Sequence, residues 1–113
     1  MSKRIFLSPP WLGGSERARV EEAFASGYIA PCGPMVDRFE RAFAEWTGIA
    51  HACALSSGSA ALDLLFHELG IGPGDCVFCS DLTFISSIAS AVRRGAEPVF
   101  IDCDEASWTM DPD

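Results

Sequence analysis

The run Ser56-Ser57-Gly58-Ser59 carries three hydroxyls and no bulky side chain, between an apolar approach ending at Leu55 and a leucine-rich stretch with helical spacing. A strand passing through such a junction into a helix presents unpaired backbone N–H groups and hydroxyls at the positive end of the helix dipole. That arrangement binds anions. Gly58 permits close approach or a positive φ angle, and Ser59 can donate a hydroxyl hydrogen bond. The same residues also suit a plain cap and turn, with Ser57 as N-cap and Gly58 as the bend, and pattern alone leaves both readings open.

Phe84 is the second residue of interest. It follows Thr83 at the C-terminal end of a predicted strand, where open α/β sheets place ligands. Ends of neighbouring parallel strands lie on one sheet edge, so a flat ring and an anion site there would face one ligand, an aromatic phosphate. Core packing is the competing role for any single Phe.

Other chemistry-bearing patterns reduce to structure. No GxxxxGK[ST] motif is present, and Lys3 is the only lysine. Gly70-Ile71-Gly72-Pro73-Gly74 follows a helix and precedes a strand, the reverse of a dinucleotide fingerprint, and reads as a helix stop and turn. Cys76-Val77-Phe78-Cys79 is a CxxC on an apolar strand, where residues three apart point to opposite faces, so the pair suits neither zinc nor a redox couple. His51 and His67 have no partner at ligand spacing, and Arg93-Arg94 complements the dipole at a helix end. No metal site is expected.

The elements that must position Gly58, Ser59 and Phe84 follow from periodicity. Ser15 to Ser26 reads as a helix capped by Ser15 and stopped by Gly27; Tyr28 to Gly33 is a loop. A second helix starts at Pro34, carries Val36, Phe39, Phe43 and Trp46 on one stripe, and stops at Gly48. From residue 50 short apolar runs alternate with helices: strand 50–55, helix 59–69, strand 76–79, helix 83–94, strand 98–101. The helical stripes are Leu62, Leu65, Phe66, Leu69 and Ile85, Ile88, Ala89, Val92. This is a βαβαβ unit with parallel strands. The fold class is α/β: an N-terminal segment, 1–49, with two helices, then residues 50–113 as the beginning of a larger, mostly parallel sheet. Three strands would leave open edges, and residues 102–113 hold five acidic residues with no closing helix or strand, as in a piece of a longer chain.

Composition narrows the partners. Hydrophobic residues make up 49% of the 113-residue chain and charged ones 21%, which places it with globular rather than disordered chains. A net charge of -8, with no basic run longer than the pairs Lys3-Arg4 and Arg93-Arg94, excludes a phosphate-backbone footprint, so no nucleic acid partner is expected. No run is long enough to span a membrane, and Ile5-Phe6-Leu7 is broken too soon by Ser8-Pro9-Pro10 for a signal-peptide core. Five scattered cysteines suit reduced thiols. The expected location is cytoplasmic.

In this order, several short motifs resemble the N-terminal part of the DegT/DnrJ/EryC1/StrS sugar aminotransferases, enzymes of fold type I dependent on pyridoxal 5′-phosphate (PLP). They are Ser26-Gly27-Tyr28-Ile29, Gly33-Pro34 with Phe39-Glu40, Ser56-Ser57-Gly58-Ser59-Ala60-Ala61-Leu62, Gly70 to Asp75, Thr83-Phe84, and Gly95 to Asp102. The resemblance implies that residues 50–113 begin the PLP-binding large domain. Gly58 and Ser59 would contact the PLP phosphate, Ser59 keeping the hydroxyl where the family usually has Thr. Phe84 would stack on the pyridine ring, and Tyr28 would approach the substrate. The Schiff-base lysine and the carboxylate that pairs with the pyridine nitrogen lie on later segments in the family, so no catalytic residue is assigned, and residues 1–113 alone are expected to be inactive. Cys76 departs from the acidic residue usual after Gly-Asp.

The resemblance further implies an aminotransferase that takes a nucleotide-linked keto sugar and an amino-acid donor in amino-sugar or polysaccharide biosynthesis, and that dimerises with itself. Two other readings stand beside it. One is a non-catalytic binding or interaction fragment; the other is a PLP-dependent sugar dehydratase of the same family.

Overall fold

The computed structural model describes residues 4–6 and 8–111. Lys3, weighed above as the only lysine, lies outside them. The chain divides into two compact units, residues 1–54 and 55–113.

In the first unit, α1 spans Glu16–Ser26 and α2 spans Pro34–Thr47. The expected cap by the Ser15 side chain is not made. Instead the Glu16 carboxylate accepts the N–H groups of Gly13 and Gly14, an anionic acceptor at the positive helix end. Pro34 opens α2 with the φ that a first helical residue needs, and its missing N–H is one that the helix could not have paired. Both helices stop on a left-handed glycine, Gly27 and Gly48, as the sequence predicted. Arg38 of α2 grips Glu22 of α1 through two bonds, 2.9 and 3.0 Å, a planar fork matched to a carboxylate. Phe39, Phe43 and Trp46 stack along α2 with ring centroids 6.1 and 6.3 Å apart, yet all three stay exposed.

The expected strand over 50–55 is not formed: among the described residues, 50–55 join no ladder. Its apolar residues suit a strand, but a strand exists only when its N–H and C=O groups find a neighbouring chain. The βαβαβ expectation is therefore corrected to one βαβ unit preceded by a helix.

The second unit orders α3 (Gly58–Glu68), β1 (Cys76–Ser80), α4 (Ser86–Arg93) and β2 (Glu97–Ile101). β1 and β2 pair in parallel from Cys76 opposite Glu97 to Ser80 opposite Ile101, with α4 as the crossover. The fold is α/β: four helices and a two-stranded parallel sheet. The Gly70–Gly74 segment is the expected stop and turn: the N–H of Ile71 returns to the carbonyl of Phe66, and the Asp75 carboxylate accepts the N–H of Gly72.

Cys79, Ile88, Ala91 and Ala96 form the buried core, with Phe66, Ile71 and Val77 packed against it. Burying Ile88 contributes roughly 1.5–3 kcal/mol. Cys76 is exposed while Cys79 is buried, the opposite-face arrangement expected of a strand CxxC. The stripe predicted for α4 is partly corrected. Ile85 and Val92 are exposed, and the buried side is Ile88, Ser90 and Ala91: Ile85 precedes the helix, which begins at Ser86 rather than Thr83, and Ser90 turns inward to donate to Asp63 on α3. In α3, Leu65 and Leu69 are exposed and Phe66 meets the core.

Residues 102–111, expected to lack closing structure, fold into a tight loop. A bridge pairs Cys103 with Met110, Asp104 accepts the N–H of Ser107, and Trp108 takes a left-handed φ of 61°.

Candidate functional site

The junction at residues 56–59 resolves into cap and donors together. Ser57 is the N-cap of α3, its hydroxyl accepting the N–H of Ala60 at 3.1 Å while its carbonyl accepts that of Ala61. This leaves the N–H groups of Gly58 and Ser59 and the hydroxyl of Ser59 with no partner among the described residues. The two readings left open by the pattern are thus compatible, because capping uses Ser57 and leaves the next two residues unpaired. Gly58 does not use a left-handed conformation. A Cβ placed on it would meet no described heavy atom within 4 Å beyond its chain neighbours and its own helix backbone, so the surface at the helix start is clear.

Phe84 sits in the turn between β1 and α4, beyond the C-terminal end of β1, and is 75% exposed as a residue. The chain itself leaves the ring free. Beside it, the hydroxyls of Thr83 and Ser87 lie 2.9 Å apart, and the carbonyl of Phe84 accepts the N–H of Ser87, which fixes the turn to the helix.

The two features share one end of the unit. Asp63 of α3 meets Ser90 of α4, and one turn later His67 meets Arg94, so both pairs are 27 residues apart and the helices run in the same direction. The same step carried one turn back sets Ser59 level with Ser86, two residues after Phe84. Sequence reasoning missed the pairs that set this step. It treated Arg93-Arg94 only as dipole complements, whereas Arg94 donates to the carbonyl of Asp63 at 3.0 Å, Arg93 reaches its carboxylate at 3.4 Å, and the buried hydroxyl of Ser90 donates to the same carboxylate. The available signal was a carboxylate breaking an otherwise apolar stretch, Ala60 to Phe66, with two arginines on the next helix. The Ser90 hydrogen bond, helped by the arginines, holds the Asp63 carboxyl below its ordinary range.

Tyr28 belongs to the first unit, directly after the left-handed Gly27, and its ring covers Gly33: a Cβ there would come within 3.1 Å of the ring. Tyr28 is therefore a packed turn residue with a 58% exposed side chain. His51 lines a shallow groove on the first unit with Asp37, Glu40 and Arg41, and that groove contains none of Gly58, Ser59 and Phe84.

Gly58, Ser59 and Phe84 thus offer two free backbone donors, a hydroxyl and an uncovered aromatic face. These would fit a phosphorylated aromatic ring: a phosphate oxygen could accept from the helix start, and a flat ring could lie on Phe84.

Comparison with known proteins identifies relatives of the whole chain. Spore coat polysaccharide biosynthesis protein SpsC of Bacillus subtilis is 44% identical over 93% of this chain and 27% of its own length. GDP-perosamine synthase of Caulobacter vibrioides is 40% identical over 96% of this chain and 29% of its own. The solved PLP form of Spr1654 from Streptococcus pneumoniae superposes with a TM-score of 0.81 at 32% identity, over 96% of this chain and 28% of that one. The chain therefore spans under a third of the length of these relatives. The family model for the DegT/DnrJ/EryC1/StrS aminotransferases matches residues 10–113, and the chain belongs to that family.

Proposed function

We propose that this chain is the N-terminal portion of a PLP-dependent aminotransferase that acts on a nucleotide-linked keto sugar with an amino acid as donor. The observation that carries the reading is the pair of unpartnered N–H groups at Gly58 and Ser59, at the same end of the unit as the uncovered ring of Phe84. In a chain of this family, those groups suit the two ends of PLP. Gly58 and Ser59 hold the phosphate, and Phe84 holds the plane of the ring.

Bound PLP would supply an electron sink for moving a proton and an amino group. The chain's own residues bind and orient it. The helix start fixes the phosphate by charge, and Phe84 fixes the tilt of the ring and keeps water from one face. Only the family resemblance assigns Tyr28 to the substrate; in the first unit it packs on Gly33. Residues 1–49 form its N-terminal segment, and residues 50–113 open its cofactor-binding domain.

The nucleotide-linked substrate rests on the name of one relative, GDP-perosamine synthase, and a place in polysaccharide biosynthesis on that of another, SpsC. The intact protein works as a cytoplasmic homodimer. Among the described residues no helix is long and apolar enough to cross a membrane, which is compatible with that location.

Two experiments test the reading. The coding sequence past the codon for Asp113 should continue with an Asp and then a Lys in family context. A His in place of the Lys would move the reading to sugar dehydration, and an authentic stop codon would move it to a binding fragment. The protein so encoded, incubated with PLP, an amino-acid donor and a panel of nucleotide-linked keto sugars, should give aminated sugar by mass spectrometry, and residues 1–113 alone should give none. Amination by the 113-residue chain alone would show that the missing lysine is not required.

A further inference from the structure

We propose that Asp63 is a positioning residue for the cofactor phosphate: through Ser90, Arg93 and Arg94 it locks α3 and α4 in the step that sets Gly58 and Ser59 level with the turn bearing Phe84. The inference rests on the phosphate reading of the preceding section.

The other buried residues of α4, Ile88 and Ala91, are apolar and bring no side-chain hydrogen bond that depends on the step between the helices. Polar groups do choose. The hydroxyl of Ser90, 1% exposed, has Asp63 as its acceptor, and a slide of one residue would leave it buried and unpaired. Arg94 adds a bond to the Asp63 backbone carbonyl at 3.0 Å and lies 3.3 Å from His67 Nδ1, so two successive turns of α3 are tied to two successive turns of α4. A polar group that fixes register between helices is the best attested use of partly buried charge.

The consequence reaches the ligand because the phosphate donors and Phe84 stand on different elements. Gly58 and Ser59 begin α3, whereas Phe84 precedes α4. One ligand can use both only while the helices keep their step. Asp63 lies one turn along α3 from Ser59 and touches neither phosphate nor ring in this account.

The test uses the full chain with pyridoxine 5′-phosphate and pyridoxine. Both carry the ring without an aldehyde, so neither condenses with Lys3 or the α-amino group. Dissociation constants come from the backbone amide shifts of Gly58, Ser59 and Phe84. The decisive quantity is the ratio of the two constants, which reports the phosphate's contribution alone. Asp63→Ala should shrink that ratio roughly ten-fold, the scale of one hydrogen bond to a charged group. Asp63→Asn, which keeps an acceptor for Ser90, should recover most of it.

Equal ratios in wild type and Asp63→Ala overturn the proposal, and so does a parallel loss of affinity for both ligands, which marks general loosening. If Asp63→Ala does not fold, Ser90→Ala takes its place, since it removes the hydroxyl with little change of volume, and its outcomes are read the same way. A wild-type chain whose Gly58 and Ser59 amides do not respond to the phosphorylated ligand overturns the phosphate site itself, and this inference with it.

Discussion

Ser59 offers a hydroxyl beside two unpartnered backbone N–H groups, so its side chain is one donor of three. Ser59→Ala should weaken binding of pyridoxine 5′-phosphate by about 1.5–3 kcal/mol, the range for a bond to a charged acceptor. Ser59→Thr should bind like wild type. Phe84→Ala should cost less, about 0.5–1.5 kcal/mol beyond the area lost, and should weaken pyridoxine and its phosphate alike. Isothermal titration of the three variants separates the roles, because only the Ser59 change depends on the phosphate. Glu22 gives a pH signature of its own. Its hydrogen bonds with Arg38, and then with Arg19, hold its pKa at about 2 instead of the ordinary 4.5. A depressed carboxyl stabilises the fold above its unfolded pKa and loses that contribution as pH falls toward the folded value. The difference in thermal midpoint between wild type and Glu22→Gln should therefore be full at neutral pH and shrink between pH 4.5 and about 2. It should be modest throughout, because both side chains are about half exposed.

Helix ends were the most legible features, because each start or stop is written in one or two residues. Gly27, Gly48 and Pro34 fall where the chain needs them, and local chemistry suffices to place them. The strand over 50–55 and the turned face of α4 were not legible, since each depends on what lies across from it. An apolar run becomes a strand only beside a partner, and the inward side of α4 is set by Asp63 on another helix. The candidate site was read in the same proportion. Gly58, Ser59 and Phe84 carry local signals, whereas the Asp63–Ser90 lock is written in residues 27 apart. Gly95 shows the cost of a wrong residue at an element boundary. It has φ 89° between α4 and β2, and an added Cβ would lie 3.1 Å from the Pro73 ring. Gly95→Ala should lower stability by about 1–2 kcal/mol from the left-handed backbone alone, with more from the contact. Urea unfolding checks it; an unchanged midpoint would mean that the turn relaxes freely.

At the scale of the whole molecule, little apolar surface is sequestered. Among the described residues four hydrophobic ones are buried, while Phe39, Trp46, Phe78 and Phe84 are among the large side chains left in solvent. Parallel sheets ordinarily have both faces covered, yet Phe78 on β1 is 65% exposed. The 113-residue chain should therefore bind a hydrophobic dye such as ANS under native conditions and self-associate as concentration rises, by light scattering. A dye-silent, monodisperse chain would show these surfaces to be too scattered to act as patches. The opposite orientation of Cys76 and Cys79 has a further use. A soluble maleimide should label Cys32, Cys53 and Cys76 at once, because all three are exposed, whereas Cys79 sits in the core and reacts only when β1 parts from α4. The chain thus carries its own stopwatch: the rate at which mass spectrometry finds Cys79 modified follows how often the second unit opens, and a ligand that engages Gly58, Ser59 and Phe84 should slow that clock.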